Sequence, residues 1–211
     1  HELRTPLNAI VGFSSLLANT EDVAEKELYN SLISHNNELL LNLVNDVLDL
    51  AKIESGYFEL HPNWFNLTEL LEESVAEYAC QVPSGVELRT NYPEQDFLVD
   101  LDRLRIKQVL NNFLSNAFKN TSFGYIEVFY EVASHYVRIG VRDTGGGIPQ
   151  NMQDKIFERF EKVDSFAQGA GLGLSICKSI VDKMNGRILI DSQLGAGSTF
   201  VVELPCQSVL A

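Results

Sequence analysis

Two asparagines and a lysine on one predicted helix have the spacing of a metal and phosphate site. Asn112 and Asn116 are four residues apart and Lys119 follows three residues later, so all three lie on one side of a helix. Amide oxygens suit Mg²⁺, which prefers oxygen ligands and keeps several waters, and an ammonium group suits a phosphate chain. An isolated pair of asparagines is more often a solvated polar stripe, so this pattern needs a second signal.

The second signal is a pair of glycine-rich segments in the second half of the chain. Residues 143–149 (DTGGGIP) follow a predicted strand, and residues 169–174 (GAGLGL) lead into a predicted helix. Glycine lets the backbone approach a ligand closely, and amides at the start of a helix attract phosphate. Each segment alone is a weak signal, and neither is followed by the G-K-[ST] of a Walker loop. The occurrence of all three segments in this order is what favours a ligand site.

The elements that must position these segments follow Gly56 and mix strands with helices. The predicted strands cover 57–60, 86–90, 97–99, 125–132, 136–141, 187–191 and 199–204. The predicted helices cover 67–78, 101–119 and 173–184. Strands interspersed with helices over a length of about 150 residues predict a single α/β sandwich domain.

The residues before Gly56 carry almost no strand signal and predict a helical hairpin. Apolar side chains recur at helical spacing up to a break at Asn19 and Thr20, and a longer helix is predicted from Asp22 to Glu54, ended by Gly56. A two-helix hairpin cannot bury its apolar stripe alone, so we expect a homodimer that forms a four-helix bundle. The alternative is that the stripe packs on the rest of the chain. The predicted fold class is therefore α+β, with a helical hairpin before an α/β sandwich.

The composition excludes some functions. The net charge of −13, from 16 basic and 29 acidic residues, argues against a nucleic-acid partner and against a polybasic membrane patch. No apolar run reaches the roughly 18 residues that span a bilayer, so we expect no direct membrane contact. Three widely separated cysteines without C-x-x-C spacing indicate thiols in a reducing compartment. Because the chain opens at His1, inside a helical pattern, we expect it to be a cytoplasmic fragment of a longer protein.

Six short motifs occur along the chain, at residues 1–8 (HELRTPLN), 112–116 (NFLSN), 143–148 (DTGGGI), 157–160 (FERF), 169–174 (GAGLGL) and 195–200 (GAGSTF). In this order and spacing they resemble the H-box, N-box, G1 box, F-box, G2 box and last glycine turn of sensor histidine kinases. The resemblance covers essentially the whole chain. It implies a helical dimerisation and histidine phosphotransfer domain over residues 1–56. It also implies an ATP-binding catalytic domain over residues 57–211, of the GHKL type shared with DNA gyrase and Hsp90.

ATP and Mg²⁺ are the cofactors that the resemblance implies. Asp143 would accept a hydrogen bond from the adenine amino group, as a buried carboxylate can. Gly145 and Gly147 would leave room for the base, and Ile148 would contact it. The remaining nucleotide-binding residues would act on the metal and the phosphates: Asn116 as Mg²⁺ ligand with Asn112 beside it, Lys119 and Lys162 as cations, and Gly171, Leu172 and Gly173 through their backbone.

Three residues of the H-box would carry the chemistry in this family. A neutral His1 imidazole would attack the γ-phosphorus, and Glu2 would take or orient the ring proton. The phosphoryl group would then pass to an aspartate in the receiver domain of a response regulator. Thr5 either helps to dephosphorylate that regulator or is an ordinary helix residue before Pro6, and the sequence does not separate the two. The whole protein would be a membrane-anchored bacterial sensor.

Two other functions remain open on the sequence alone. ATPases of the gyrase and Hsp90 kind resemble the second domain, but carry a glutamate one turn before the metal-binding asparagine, where it activates water. Asn112 occupies that position here, and an amide is not a general base. A non-catalytic scaffold is the other alternative. It is favoured by Asn120, where the family usually has Phe or Tyr, and by a short lid at residues 164–168.

Overall fold

The computed structural model describes residues 3–159 and 171–211. The chain divides into two compact units, one containing the helices that precede Glu59 and the other containing the strands and helices that follow it. In the first unit, α1 (Arg4–Asn19) and α2 (Val23–Glu54) pack against each other along their lengths. The predicted helical hairpin is confirmed.

Local side-chain chemistry determines where α2 begins and ends. The Asp22 carboxylate accepts a hydrogen bond from the backbone N–H of Glu25 at 3.1 Å, which satisfies one of the unpaired donors of the first turn. Gly56 has a φ of +76°, a conformation that glycine adopts without strain and that ends helices. The turn and both helix ends are where the sequence predicts them.

The helices of the hairpin leave many apolar side chains uncovered. All 32 residues of α2 are among those described, and none of them is buried within the single chain. The uncovered side chains include Leu28, Leu41, Val47 and Leu48, which are between 47% and 62% exposed. Among the described helices, none combines the length and the apolar character that crossing a bilayer requires.

The second unit is an α/β domain with two sheets. Its strands are β1 (Asn63–Asn66), β2 (Val86–Asn91), β3 (Phe97–Leu101), β4 (Gly124–Ala133), β5 (Tyr136–Asp143), β6 (Arg187–Gln193), β7 (Gly197–Pro205) and β8 (Ser208–Leu210). Its helices are α3 (Leu67–Ala79), α4 (Arg103–Asn120) and α5 (Gly173–Lys183). Two 3-10 turns follow β5, at Gln150–Met152 and Lys155–Phe157.

The larger sheet carries the core of this domain. Its strand order is β2-β4-β5-β7-β6, with β2 and β4 parallel and the other pairs antiparallel. Alternate side chains of β4, β5 and β7 are buried, while α4 packs on β5 and α5 on β6. Phe113 of α4 is 2% exposed, and its ring centroid lies 5.3 Å from that of Phe200 on β7. The predicted α/β sandwich is confirmed, with a smaller sheet β1-β3-β8 beside it.

Three details differ from the sequence-based predictions. No strand forms at residues 57–60; there Phe58 is buried, and the nearby His61 N–H donates to the Asp102 carboxylate at 2.8 Å. The helix predicted from Leu101 begins at Arg103, because Leu101 pairs with Asn63 across the smaller sheet and Asp102 caps the helix. The third difference is a pair of strands that the sequence does not predict, β1 and β8, which both pair with β3.

We predict that Phe113→Ala destabilises the α/β domain by about 3–5 kcal/mol, because it removes a fully buried ring and leaves a cavity against Phe200. Chemical denaturation measures the change. Phe123→Ala is the matched control: Phe123 is 79% exposed, and its loss should cost no more than about 0.5 kcal/mol. Equal losses in both variants would contradict the assigned core.

Candidate nucleotide site

Asp143 is the last residue of β5, and its carboxylate is buried, with 7% of the residue exposed. Its Oδ1 accepts a hydrogen bond from the backbone N–H of Gly145 at 2.8 Å, and the carboxylate also accepts from the backbone N–H of Ser198. Burial raises the pKa of Asp143 above its ordinary value, and the two N–H donors oppose that rise without cancelling it. Asp143 is therefore a desolvated carboxylate with acceptor capacity to spare.

The glycine turn that follows Asp143 and the glycine turn between β6 and β7 pack closely against each other. Gly147 has a φ of +67°, and a Cβ placed on it would overlap the carbonyl oxygen of Gln193 at the end of β6. The N–H of Gly195 donates to the carbonyl of Gly146 at 2.7 Å. A Cβ on Gly197 would overlap the carbonyl of Asp143 itself. The G1 segment and the last glycine turn are thus in direct backbone contact, which only residues without side chains allow.

The G1 segment also contacts the end of α4. A Cβ on Gly145 would overlap the carbonyl oxygen of Asn120, and the Gly146 N–H donates to that carbonyl at 3.3 Å. The Asn120 side chain donates back to the carbonyl of Asn116 at 2.7 Å. The residue type that departs from the family pattern therefore supports the local backbone with a helix-capping hydrogen bond.

Asn112 and Asn116 lie side by side on α4, as their spacing predicts. The Asn116 Nδ2 donates to the Asn112 Oδ1 at 3.3 Å. Gly173, the first residue of α5, packs so closely on Asn112 that a Cβ there would overlap the Asn112 amide. The asparagine pair, the G1 segment and the start of α5 are therefore assembled along the C-terminal half of α4.

The other predicted site residues have various environments. Lys119 is exposed in the last turn of α4, Ile148 is half-buried, Gly171 has a φ of +67°, and Leu172 is buried. In the hairpin unit, Thr5 is exposed in the first turn of α1. His1, Glu2 and Lys162 lie outside the described residues.

Two residues that were not predicted from the sequence, Ser192 and Gln153, hold the G1 segment. The Ile148 N–H donates to the Ser192 hydroxyl at 2.8 Å. The Gln153 amide donates to the carbonyls of Ile148 at 3.1 Å and Ser192 at 2.8 Å. Asp143, Ser198 and Ser192 pair across β5, β7 and β6, and so form one polar row at the end of an otherwise apolar sheet face. A serine at the inward-facing position after Ile188 and Ile190 is the signal that could have identified this row.

Metal ligands of the usual charged kind are not gathered at this site. The described residues contain no group of three or more His, Cys, Asp or Glu side chains that could hold a metal ion. A cation bound beside α4 would therefore use the amide oxygens of the asparagine pair and whatever oxygens a ligand brings. Such an all-oxygen, partly hydrated shell suits Mg²⁺.

Comparison with known families agrees with this geometry. Residues 101–208 match the family model of histidine kinase-, DNA gyrase B- and HSP90-like ATPases, and residues 1–56 match the His kinase A (phospho-acceptor) domain. Among solved structures, the catalytic domain of histidine kinase ThkA has a TM-score of 0.62 and 34% identity, over 69% of this chain and 95% of that one. The chain therefore belongs to the sensor histidine kinases.

Longer relatives are similar over the whole of this chain. The autoinducer 2 sensor kinase/phosphatase LuxQ of Vibrio harveyi is 35% identical over 97% of this chain and 25% of its own length. The sensor histidine kinase RcsC of Escherichia coli (strain K12) is 36% identical, over 97% of this chain and 22% of its own. Full-length ShkA in complex with AMPPNP matches with a TM-score of 0.77 and 32% identity, over 100% of this chain and 45% of that one. The chain thus spans a quarter or less of these two curated relatives.

We predict that Gly147→Ala destabilises the domain by about 2 kcal/mol or more, because alanine is strained at positive φ and its Cβ would overlap the Gln193 carbonyl. Thermal unfolding measures the loss. The neighbouring Gly146→Ala is the control: a Cβ there meets no described atom within 4 Å, so its melting temperature should stay close to that of the wild type. A Gly147→Ala variant as stable as Gly146→Ala would contradict the close backbone contact between Gly147 and Gln193.

Proposed function

We propose that this chain is the catalytic core of an ATP-dependent protein-histidine kinase that phosphorylates His1 and transfers the phosphoryl group to an aspartate of a response regulator. The observation that carries the proposal is the nucleotide-type site of the α/β domain, which has Asn112 where a hydrolase needs a general base. We propose residues 1–56 as the dimerisation and phosphotransfer domain and residues 57–211 as the catalytic domain. Their matches to separate family models support this division.

Adenine recognition is assigned to the buried end of β5. The carboxylate of Asp143 would accept a hydrogen bond from the exocyclic amino group of adenine. Gly145 and Gly147 let the backbone of Asn120 and Gln193 approach, so they would shape the base site through backbone packing, and Ile148 would offer apolar contact. The low exposure of Asp143 supports this role, because a hydrogen bond to a desolvated carboxylate is stronger than one in water.

Phosphate and metal binding are assigned to the face of α4. Asn116 would hold Mg²⁺, with Asn112 beside it, while Lys119 and Lys162 would offset phosphate charge. Backbone amides of Gly171, Leu172 and Gly173 would contact the phosphates, since the start of α5 attracts anions. The bound metal would offset the charge that develops on the transferred phosphoryl group.

His1 would supply the nucleophile. A lone pair on one imidazole nitrogen attacks the γ-phosphorus, the bond between that phosphorus and the bridging oxygen breaks, and ADP leaves with the electron pair. Glu2 accepts the ring proton, so that phosphohistidine forms without a charged imidazole. Asn112 cannot activate water, so bound ATP would persist until this histidine arrives. A nucleotide site without a general base at Asn112, together with a nucleophile at His1, favours a kinase over a gyrase-type hydrolase.

A homodimer is the proposed state of the helical hairpin. The uncovered apolar side chains of α2 need a partner surface, and a second hairpin would supply it in a four-helix bundle. The response regulator would dock on this bundle. ThkA has been solved in complex with the response regulator protein TrrA, and that structure matches 97% of this chain with 30% identity and a TM-score of 0.73.

Two finer assignments complete the proposal. Thr5 would position a water that dephosphorylates the regulator, and the name of the kinase/phosphatase LuxQ is consistent with such a second activity in a relative. The whole protein would be a membrane-anchored sensor whose catalytic core lies in the cytoplasm, where ATP and response regulators are found. The acidity of the chain gives no support to a nucleic-acid partner.

We predict that the full-length protein incorporates label from ATP labelled on the γ-phosphate, in an acid-labile and base-stable form typical of phosphohistidine. His1→Gln should abolish the label, because glutamine has no nucleophilic nitrogen. His35→Gln is the control, since His35 is an exposed histidine of the same hairpin and labelling should be unchanged. Electrophoresis after acid and base treatment measures both.

Three outcomes would contradict this function. Release of free phosphate with no labelled protein would favour a hydrolase. Neither product, from protein shown to be folded, would favour a non-catalytic scaffold. Label that survives in His1→Gln would identify a different acceptor residue.

A further inference from the structure

Strand β6 is an edge of the larger sheet. Of the strands that the structure describes, only β7 pairs with it, so one row of its backbone N–H and C=O groups faces away from the sheet. Proteins often protect such an edge with a proline, a bulge or an inward-pointing charge. Residues 187–193 (RILIDSQ) contain no proline, pair with β7 without a bulge and keep their charges off the half-buried face. By its own chemistry, this edge can therefore pair with another strand.

The exposed face of β6 carries a charge at either end of an apolar centre. Arg187, Leu189 and Asp191 share this face because side chains alternate along a strand, and Leu189 is 37% exposed. Asp191 forms no ion pair with any residue that the structure describes. Arg187 lies 2.6 Å from the Glu203 carboxylate, but 63% of its side chain is exposed. Since a guanidinium has five N–H donors, Arg187 can bind a second carboxylate.

This order of side chains is complementary to itself in an antiparallel pair. If two copies of β6 pair about Leu189, Arg187 of each strand lies opposite Asp191 of the other. On the half-buried face, Ile188 of each strand lies opposite Ile190 of the other. Opposite charges and apolar side chains that face each other stabilise antiparallel strands. Any other register removes both ion pairs, so the charges also determine the alignment.

The other edge of the sheet, β2, does not offer the same charges. Its Glu87 and Arg89 form an ion pair with each other inside the strand. A second copy of β2 would have to compete with this ion pair. The unpaired carboxylate of Asp191 makes β6 the better edge for self-pairing.

We propose that β6 is a pairing edge for a second copy of this chain: the β6 strands of two α/β domains associate antiparallel about Leu189 and form one continuous sheet. Five residues from each copy make a contact smaller than the roughly 1,200–2,000 Å² of a stable interface, so the contact is weak alone. The proposed dimer of helical hairpins would hold the two domains at a high effective concentration, at which a weak contact forms.

The test is disulfide crosslinking of the full-length protein, with the exposed Cys80 replaced by serine. In the proposed pairing the two Cα atoms at position 189 are about 4.5–5.5 Å apart, within the roughly 4.4–6.8 Å that a disulfide spans. Leu189→Cys should therefore form a crosslinked dimer on mild oxidation, seen by non-reducing electrophoresis. Gln193→Cys is the matched control on the same strand and face. Its two copies would be about 27 Å apart, so it should not crosslink.

Charge reversal tests the register. Added to Leu189→Cys, Asp191→Arg places like charges opposite each other at both ends of the contact and should lower the crosslinked fraction by about fivefold. Further addition of Arg187→Asp restores opposite charges and should restore crosslinking. Arg138 continues to pair with Glu203 in that variant.

Equal crosslinking of Leu189→Cys and Gln193→Cys would overturn the proposal, as would a crosslinked fraction that Asp191→Arg leaves unchanged. If Leu189→Cys does not fold, amide hydrogen exchange of the wild-type protein decides: pairing protects every N–H of residues 187–191, and rapid exchange at alternate residues would overturn it. A folded Leu189→Cys protein that is a dimer by light scattering but does not crosslink would overturn the β6 contact alone and leave the hairpin dimer standing.

Discussion

The structure of the α/β domain is organised around one constraint: a carboxylate, Asp143, is buried at the end of a central strand and must still be hydrogen-bonded. Burying a charge without partners is costly, so donors have to be brought to it. Backbone N–H groups of Gly145 and Ser198 supply them. To do so, the glycine turn that follows β5 and the glycine turn between β6 and β7 must approach closely, and the overlaps that a Cβ would cause at Gly147 and Gly197 show how little room is left.

The groups gathered around Asp143 and on α4 are suited to binding a nucleotide rather than to hydrolysing it. The polar groups near Asp143 belong largely to backbone and to neutral side chains, and the asparagine pair of α4 provides amide oxygens without a general base. On the proposed function, this site would hold ATP without hydrolysing it, and the reaction would wait for a histidine from the helical hairpin. On the proposed function, the uncovered apolar side chains of α2 would be covered by a second hairpin.

Sequence patterns predicted the parts of this architecture that depend on local chemistry. Asp22 and Gly56 mark the ends of α2, and the spacing of Asn112 and Asn116 gives their adjacency on α4. The failures involve partners distant in sequence. Strand β8 exists because it pairs with Phe97 more than a hundred residues earlier. Leu101, where the sequence predicts the start of a helix, instead belongs to a strand and pairs with Asn63. Ser192 was missed for the same reason: its significance depends on Ser198 and Ile148 meeting it in space, although its inward position after two isoleucines was visible.

The most direct test of the account is the pKa of Asp143, measured by ¹³C NMR with and without saturating ADP. Burial should hold the pKa of the free protein above the ordinary value of about 3.9. A hydrogen bond from the adenine amino group stabilises the charged form, so ADP should lower this pKa. By linkage, the affinity for ADP should decrease as the pH falls through the raised pKa of the free protein. A pKa at or below the ordinary value in the free protein, or one that ADP leaves unchanged, would contradict the assignment of Asp143 as the buried carboxylate that recognises the base.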